Sequence, residues 1–156
     1  MKGKPEVIEI LSKMFKEELG ALNQYMLHAE MQSNWGYKRI YAETKKQAIG
    51  EMKHAEALIE RILFLEGIPN LADLPKLSIG KDVKQQLTND LALEKGAVAE
   101  YNAAVAAARK AGDNGSADLL DKLLHDEEEH VDHLETQISL IEQLGLENYL
   151  AEQMKA

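Results

Sequence analysis

The feature that most limits how this chain can fold is a set of apolar stripes, each broken near its middle by residues that do not belong there. Along 5–34 the stripe Ile8, Leu11, Phe15, Glu18, Leu22, Tyr25, Ala29 advances in alternating steps of three and four, which is one face of an α-helix. Three more stripes follow. They are Glu51, His54, Leu58, Ile62, Leu65; Leu87, Leu91, Glu94, Val98, Tyr101, Val105, Ala108; and Leu120, Leu123, Glu127, His130, Leu134, Ile138, Ile141. Pro5 suits a first helical turn, and NWG (34–36), Gly67, GDNG (112–115) and Gly145 punctuate the runs. The pattern predicts helices over about 5–34, 38–66, 83–111 and 117–144, the last capped by Ser116, and a short amphipathic helix over about 147–154. Residues 68–82 contain the other two prolines and are long enough to run the length of a bundle. The expected fold is all-α, a four-helix bundle with one long crossover between helices 2 and 3 and a short C-terminal fifth helix, forming a single domain over 1–156.

The interruptions repeat. Glu18 and Glu51 are 33 residues apart, as are Glu94 and Glu127. Glu18 and Glu94, Glu51 and Glu127, His54 and His130, and Tyr25 and Tyr101 are each separated by 76 residues. Two helix pairs therefore carry the same polar side chains at the same places, and a pseudo-twofold bundle brings all six ligand-type residues to one level. Four glutamates cannot share an apolar interior unaided, because each buried charge is costly and the four repel one another. Two divalent cations neutralise them, and neutral imidazoles add nitrogen ligands without further charge. Residues i and i+3 share a helix side, so each E-x-x-H pair can hold one ion. Oxygen and nitrogen donors suit iron, manganese or zinc, and the pattern does not choose among them. Candidate catalytic and metal-ligating residues are thus Glu18, Glu51, His54, Glu94, Glu127 and His130.

The neighbours divide by position. Asp126 beside Glu127 is placed either as an acceptor for a ligand imidazole or as a surface acid; its repeat counterpart is Gly50, so any such support is asymmetric. Glu128 and Glu129 are expected to be solvated or to face a cavity, Tyr25 and Tyr101 to pack in the core with satisfied hydroxyls, and His28, His125 and His133 to lie on the surface. Met52 points about 100° away from Glu51, onto a flank shared with Leu19, Met26, Ile49 and Ile59. Dimer packing accounts for such a methionine; across a twofold axis it is also placed to meet its own copy and bind opposite faces of a haem iron.

Composition removes other classes. The chain has no cysteine, which excludes disulfides, thiolate metal sites and Fe–S clusters. A net charge of −9 argues against general binding to nucleic acid or anionic membrane. No apolar run of about 18 residues exists, so a soluble, cytoplasmic protein is expected.

The stretches NQYMLHAEM (23–31), NWGYKR (34–39), EMKHAEALIERILFLEGIPNL (51–71), DLALE (90–94) and DEEEHVDHLETQISLIEQLGLENYL (126–150) resemble the bacterioferritins, as does the opening MKG, and the resemblance spans nearly the whole chain. It implies a ferritin-like bundle in a homo-oligomeric 24-subunit shell built from twofold dimers. It implies oxidation of Fe(II) by O2 or H2O2 at an intrasubunit di-iron centre, with ferric mineral stored inside. The six residues above would be the ferroxidase ligands, with Glu51 and Glu127 bridging, and Met52 with its symmetry mate would hold haem b between subunits. A bacterioferritin-associated ferredoxin would be the electron-transfer partner for iron release. One stretch departs: KKQAIG (45–50) places Lys46 and Gly50 where some members carry His and Asp that bind iron on the inner surface, and a cation and a missing side chain do not suit that accessory site. Lys45 falls near the expected haem pocket, where it either approaches a propionate or is solvated. A manganese catalase-like or rubrerythrin-like peroxidase on the same bundle, a haem electron-transfer bundle without storage, and a purely structural bundle are the alternative readings.

Overall fold

The computed structural model describes residues 1–156 and is all-helical. Its elements are α1 (Pro5–Asn34), α2 (Lys38–Phe64), α3 (Val83–Lys110), α4 (Asn114–Leu144) and α5 (Leu146–Gln153). The helix α1 packs along α2 and α3 along α4; the two pairs join chiefly through α1 against α3, and α5 rests on α4 and α2. This is the four-helix bundle with a crossover and a terminal helix. No helix is long and apolar enough to cross a membrane.

The core is divided. One apolar cluster includes Leu11, Phe15, Leu58, Ile62, Tyr101, Leu120 and Leu123. A second holds Ile40, Val83, Leu87, Leu134, Ile141 and Tyr149. Along α2, α3 and α4 the interrupting Glu and His residues fall between members of the first cluster and members of the second. On α1, Glu18 falls between the first cluster and a small one made of Ala21, Tyr25 and Ala48. Burial of each large apolar side chain contributes roughly 1.5–3 kcal/mol, so the two ends clamp a polar middle that contributes nothing of this kind.

Two boundaries differ from the sequence expectation. The helix α2 ends at Phe64 rather than near Gly67. Glu66 takes up a left-handed φ of 65°, its N–H donates to the Leu63 carbonyl, and the Gly67 N–H donates to the Ile62 carbonyl. That double bond pattern closes a helix, with the left-handed position one residue earlier than the glycine. At the start of α4, Asp113 rather than Ser116 is the cap: its carboxylate accepts from the Ser116 N–H at 2.9 Å and from the Ser116 hydroxyl at 2.8 Å. The crossover runs over the surface and is strapped to α1. A Cβ on Gly20 of α1 would run into the ring of Pro75, and the Ser78 and Gly80 N–H groups donate to Gln24 Oε1 at 3.0 Å and His28 Nε2 at 2.9 Å.

Candidate metal centre

The six predicted residues meet at one level of the bundle. Glu18, Glu51, His54, Glu94 and Glu127 are buried, and His130 is half-buried. They form two quartets of potential ligands, Glu18–Glu51–His54–Glu127 and Glu51–Glu94–Glu127–His130, with the donor atoms of each within 4.8 Å of one another. Glu51 and Glu127 belong to both quartets, the arrangement that bridging carboxylates require.

The histidines are aimed by the helices. His54 is one turn after Glu51 on α2 and His130 one turn after Glu127 on α4, and their rings stack with centroids 6.3 Å apart. His54 Nδ1 has three carboxylate oxygens around it: Glu127 Oε1 at 3.1 Å, Glu51 Oε2 at 3.2 Å and Glu18 Oε1 at 3.4 Å. His130 Nδ1 repeats this with Glu51 Oε1 at 3.0 Å, Glu127 Oε2 at 3.1 Å and Glu94 Oε1 at 3.3 Å. One N–H cannot satisfy three anionic acceptors. Glu18 Oε2, both oxygens of Glu51, and Glu94 Oε2 are buried without a hydrogen-bond partner. Such orphaned anionic oxygens are costly unless a cation takes their lone pairs. This donor set fits a pair of divalent metal ions.

Without cations the site retains protons in their place. Burial, with the Glu51 charge beside it, pushes the Glu18 carboxyl up to about 8. Burial also raises Glu94 to about 8, against the opposing pull of His130 and with the help of Glu127. For His130 burial disfavours the charged ring, but the carboxylates of Glu127, Glu51 and Glu94 gathered around Nδ1 outweigh it and push the imidazolium up to about 12. His54 is raised in the same way by Glu127, Glu18 and Glu51.

Two tyrosines bind the halves together crosswise. The Tyr25 hydroxyl of α1 donates to Glu94 Oε1 of α3, and the Tyr101 hydroxyl of α3 donates to Glu18 Oε1 of α1. Burial and the neighbouring glutamates hold both phenols well above their usual range, so each remains a donor. Each leaves the other oxygen of its glutamate, Oε2, free for an ion. Asp126 Oδ2 stands 2.8 Å from His54 Nε2, so this carboxylate supports the imidazole from the rim of the bundle, its own side chain 45% exposed. Glu128 and Glu129 are exposed.

Two expectations about histidines are corrected. His28 is fully buried: its Nδ1 lies 2.9 Å from Asp90 Oδ1, while its Nε2 accepts from Gly80 N–H. It belongs to a polar seam in which Gln24 donates to Asp90 at 2.8 Å and Gln32 donates to Gln86 at 3.0 Å. The sequence signal was available, because Gln24, His28 and Gln32 recur every fourth residue beside the apolar stripe. His133 is half-buried, lining a cavity of about 380 Å³ with Glu43, Gln137 and Tyr149. His125 is exposed as expected. Met52 is 41% exposed, and Met26 and Ile49 are exposed near the same level of α1 and α2. Lys46 is exposed, and the Lys45 ammonium lies 3.4 Å from Glu30.

A crossover bundle with two carboxylate–histidine quartets across its middle defines a ferritin-like protein, and a family model described as Ferritin-like domain matches residues 8–144. Similar proteins narrow the class. "Bacterioferritin" of Mycobacterium leprae (strain TN) is 41% identical over 152 residues, covering 97% of this chain and 96% of its own. "Bacterioferritin" of Brucella melitensis biotype 1 is 46% identical over 149 residues, covering 96% and 92%. "Bacterial ferritin" of Synechocystis sp. is 43% identical over 155 residues, covering 99% of each chain. The chain belongs to the bacterioferritin family.

Proposed function

We propose that this protein stores iron and acts as a ferroxidase, taking Fe(II) as substrate at the Glu18–Glu51–His54–Glu94–Glu127–His130 centre and oxidising it with O2 or H2O2. The observation that carries this reading is the pair of quartets sharing Glu51 and Glu127, with orphaned carboxylate oxygens turned inward. Two Fe(II) ions held this close supply two electrons together to one oxidant. The protein's part is to hold them: Glu51 and Glu127 reach both positions, Glu18 and Glu94 each complete one, and the imidazoles limit the coordination number. Proton release accompanies binding, because carboxyls and imidazoliums must deprotonate to become ligands. With Glu18 and Glu94 near 8 and His130 near 12, Fe(II) uptake at neutral pH displaces protons from the centre.

The wider reading is a cytoplasmic homo-oligomer, a 24-mer assembled from twofold dimers, with mineral inside and a bacterioferritin-associated ferredoxin as electron donor. Haem b would be held by Met52 from each of two subunits. The soft thioether donor on an accessible apolar face with Met26 and Ile49 suits that group, which supplies an electron path when bound. Stopped-flow Fe(II) oxidation by O2 and by H2O2 tests the ferroxidase. Wild type is expected to show a fast phase of two Fe(II) per chain that Glu51→Ala abolishes and Met52→Leu retains. Loss of that phase in Met52→Leu, or its survival in Glu51→Ala, contradicts the proposal.

A further inference from the structure

The two halves of the centre match on the inside and differ on the outside. Behind His54 the Asp126 carboxylate accepts the Nε2 proton at 2.8 Å. That bond fixes the ring's orientation and keeps the proton on Nε2, so that when Nδ1 gives up its own proton its lone pair faces inward and is the more basic for the bond behind it. Behind His130 no acceptor meets Nε2; its Nδ1 alone is engaged. The position related to Asp126 by the 76-residue repeat is Gly50, and the space where its Cβ would stand is open. The His54 side chain is 7% exposed and that of His130 is 17% exposed.

We infer that the two cation positions are unequal, with Asp126 as a positioning residue that makes the Glu18–Glu51–His54–Glu127 position the tighter, and with Gly50 leaving the Glu51–Glu94–Glu127–His130 position the weaker and faster to exchange. At the first position the ring is ordered before the ion arrives. At the second the ring is held only from the Nδ1 side, by the same carboxylates the ion must engage. Loss of such an outer hydrogen bond typically lowers metal affinity roughly 10–100-fold. Every part of this rests on the dinuclear reading above.

Mutual repulsion of two ions would separate binding steps even in a symmetric site, so the test isolates each position in the metal-free, full-length protein. Glu94→Ala leaves the His54 position, and Glu18→Ala leaves the His130 position. Anaerobic Co(II) titration, followed by visible absorption and calorimetry, is expected to give an affinity about tenfold or more higher in Glu94→Ala than in Glu18→Ala. Adding Asp126→Ala should weaken binding in the Glu94→Ala background and leave the Glu18→Ala background unchanged, whereas Asp126→Asn, which keeps an oxygen acceptor, should retain most of the affinity. Adding Gly50→Asp to Glu18→Ala should strengthen binding, and Gly50→Ala, which only stiffens the helix, should not. Equal affinities at the two positions, an Asp126→Ala effect of the same size in both backgrounds, or a gain from Gly50→Ala as large as that from Gly50→Asp overturns the inference. Fewer than two Co(II) per chain in wild type would instead overturn the dinuclear centre itself.

Discussion

At the level of single residues the metal-free centre should make the protein less stable as pH rises. Glu18 and Glu94 move from about 4.5 to about 8 on folding, so between these values the folded chain binds more protons than the unfolded chain and stability falls with pH. His130, raised from 6.5 to about 12, acts the same way: its contribution is complete below 6.5 and declines through the alkaline range. The melting temperature of chelator-treated protein is therefore expected to drop between about pH 5 and 8, and Zn(II) at the upper end should restore it. A melting temperature that climbs over this interval contradicts the account. Tyr101→Phe leaves Glu18 Oε1 without the hydroxyl that now donates to it and should cost about 1–3 kcal/mol by denaturant unfolding. The six ligand-type residues were legible because each breaks an apolar stripe and recurs at a fixed spacing. His28 was less so: it lies beside the apolar stripe rather than in it, has no counterpart 76 residues on, and its partners are a backbone N–H and an aspartate on a different helix.

At the level of elements the helices were readable from periodicity and the stops only approximately. A glycine near a helix end signals termination, but the left-handed residue after α2 is Glu66, one position before Gly67. A side chain in that conformation costs roughly 1–2 kcal/mol, so Glu66→Gly should stabilise the protein by about 1 kcal/mol in the same unfolding assay. Likewise Asp113 and Ser116 both have the chemistry of a cap, and only the fold shows Asp113 accepting from Ser116 while also receiving the Arg61 guanidinium at 2.9 Å. Asp113→Ala should cost about 1–2 kcal/mol, more than Ser116→Ala if Asp113 is the cap. Equal losses would place the cap elsewhere. The crossover was legible from its length and its prolines; what holds it, the Gln24, His28 and Asp90 seam, is written on two other helices.

At the level of the whole molecule, a bundle with a polar waist divides its labour: two apolar ends supply stability, and the middle keeps unpaired ligands that folding alone would not favour. That division was legible in the chain, because the same stripes carry both parts. The proposed assembly rests on resemblance alone, since a chain's outer faces have no periodicity that names a neighbour. Light scattering of the purified protein is expected to give about 420 kDa, the mass of 24 chains of 17.4 kDa, and a mass of one or two chains would refute the shell. The central claim is narrower, namely that this polar waist exists to hold two cations. Anomalous diffraction at the iron edge from crystals loaded anaerobically with Fe(II) tests it directly. The account predicts two peaks per chain, one inside each quartet, with Glu51 and Glu127 touching both; a waist without iron, or iron bound only elsewhere, would contradict it.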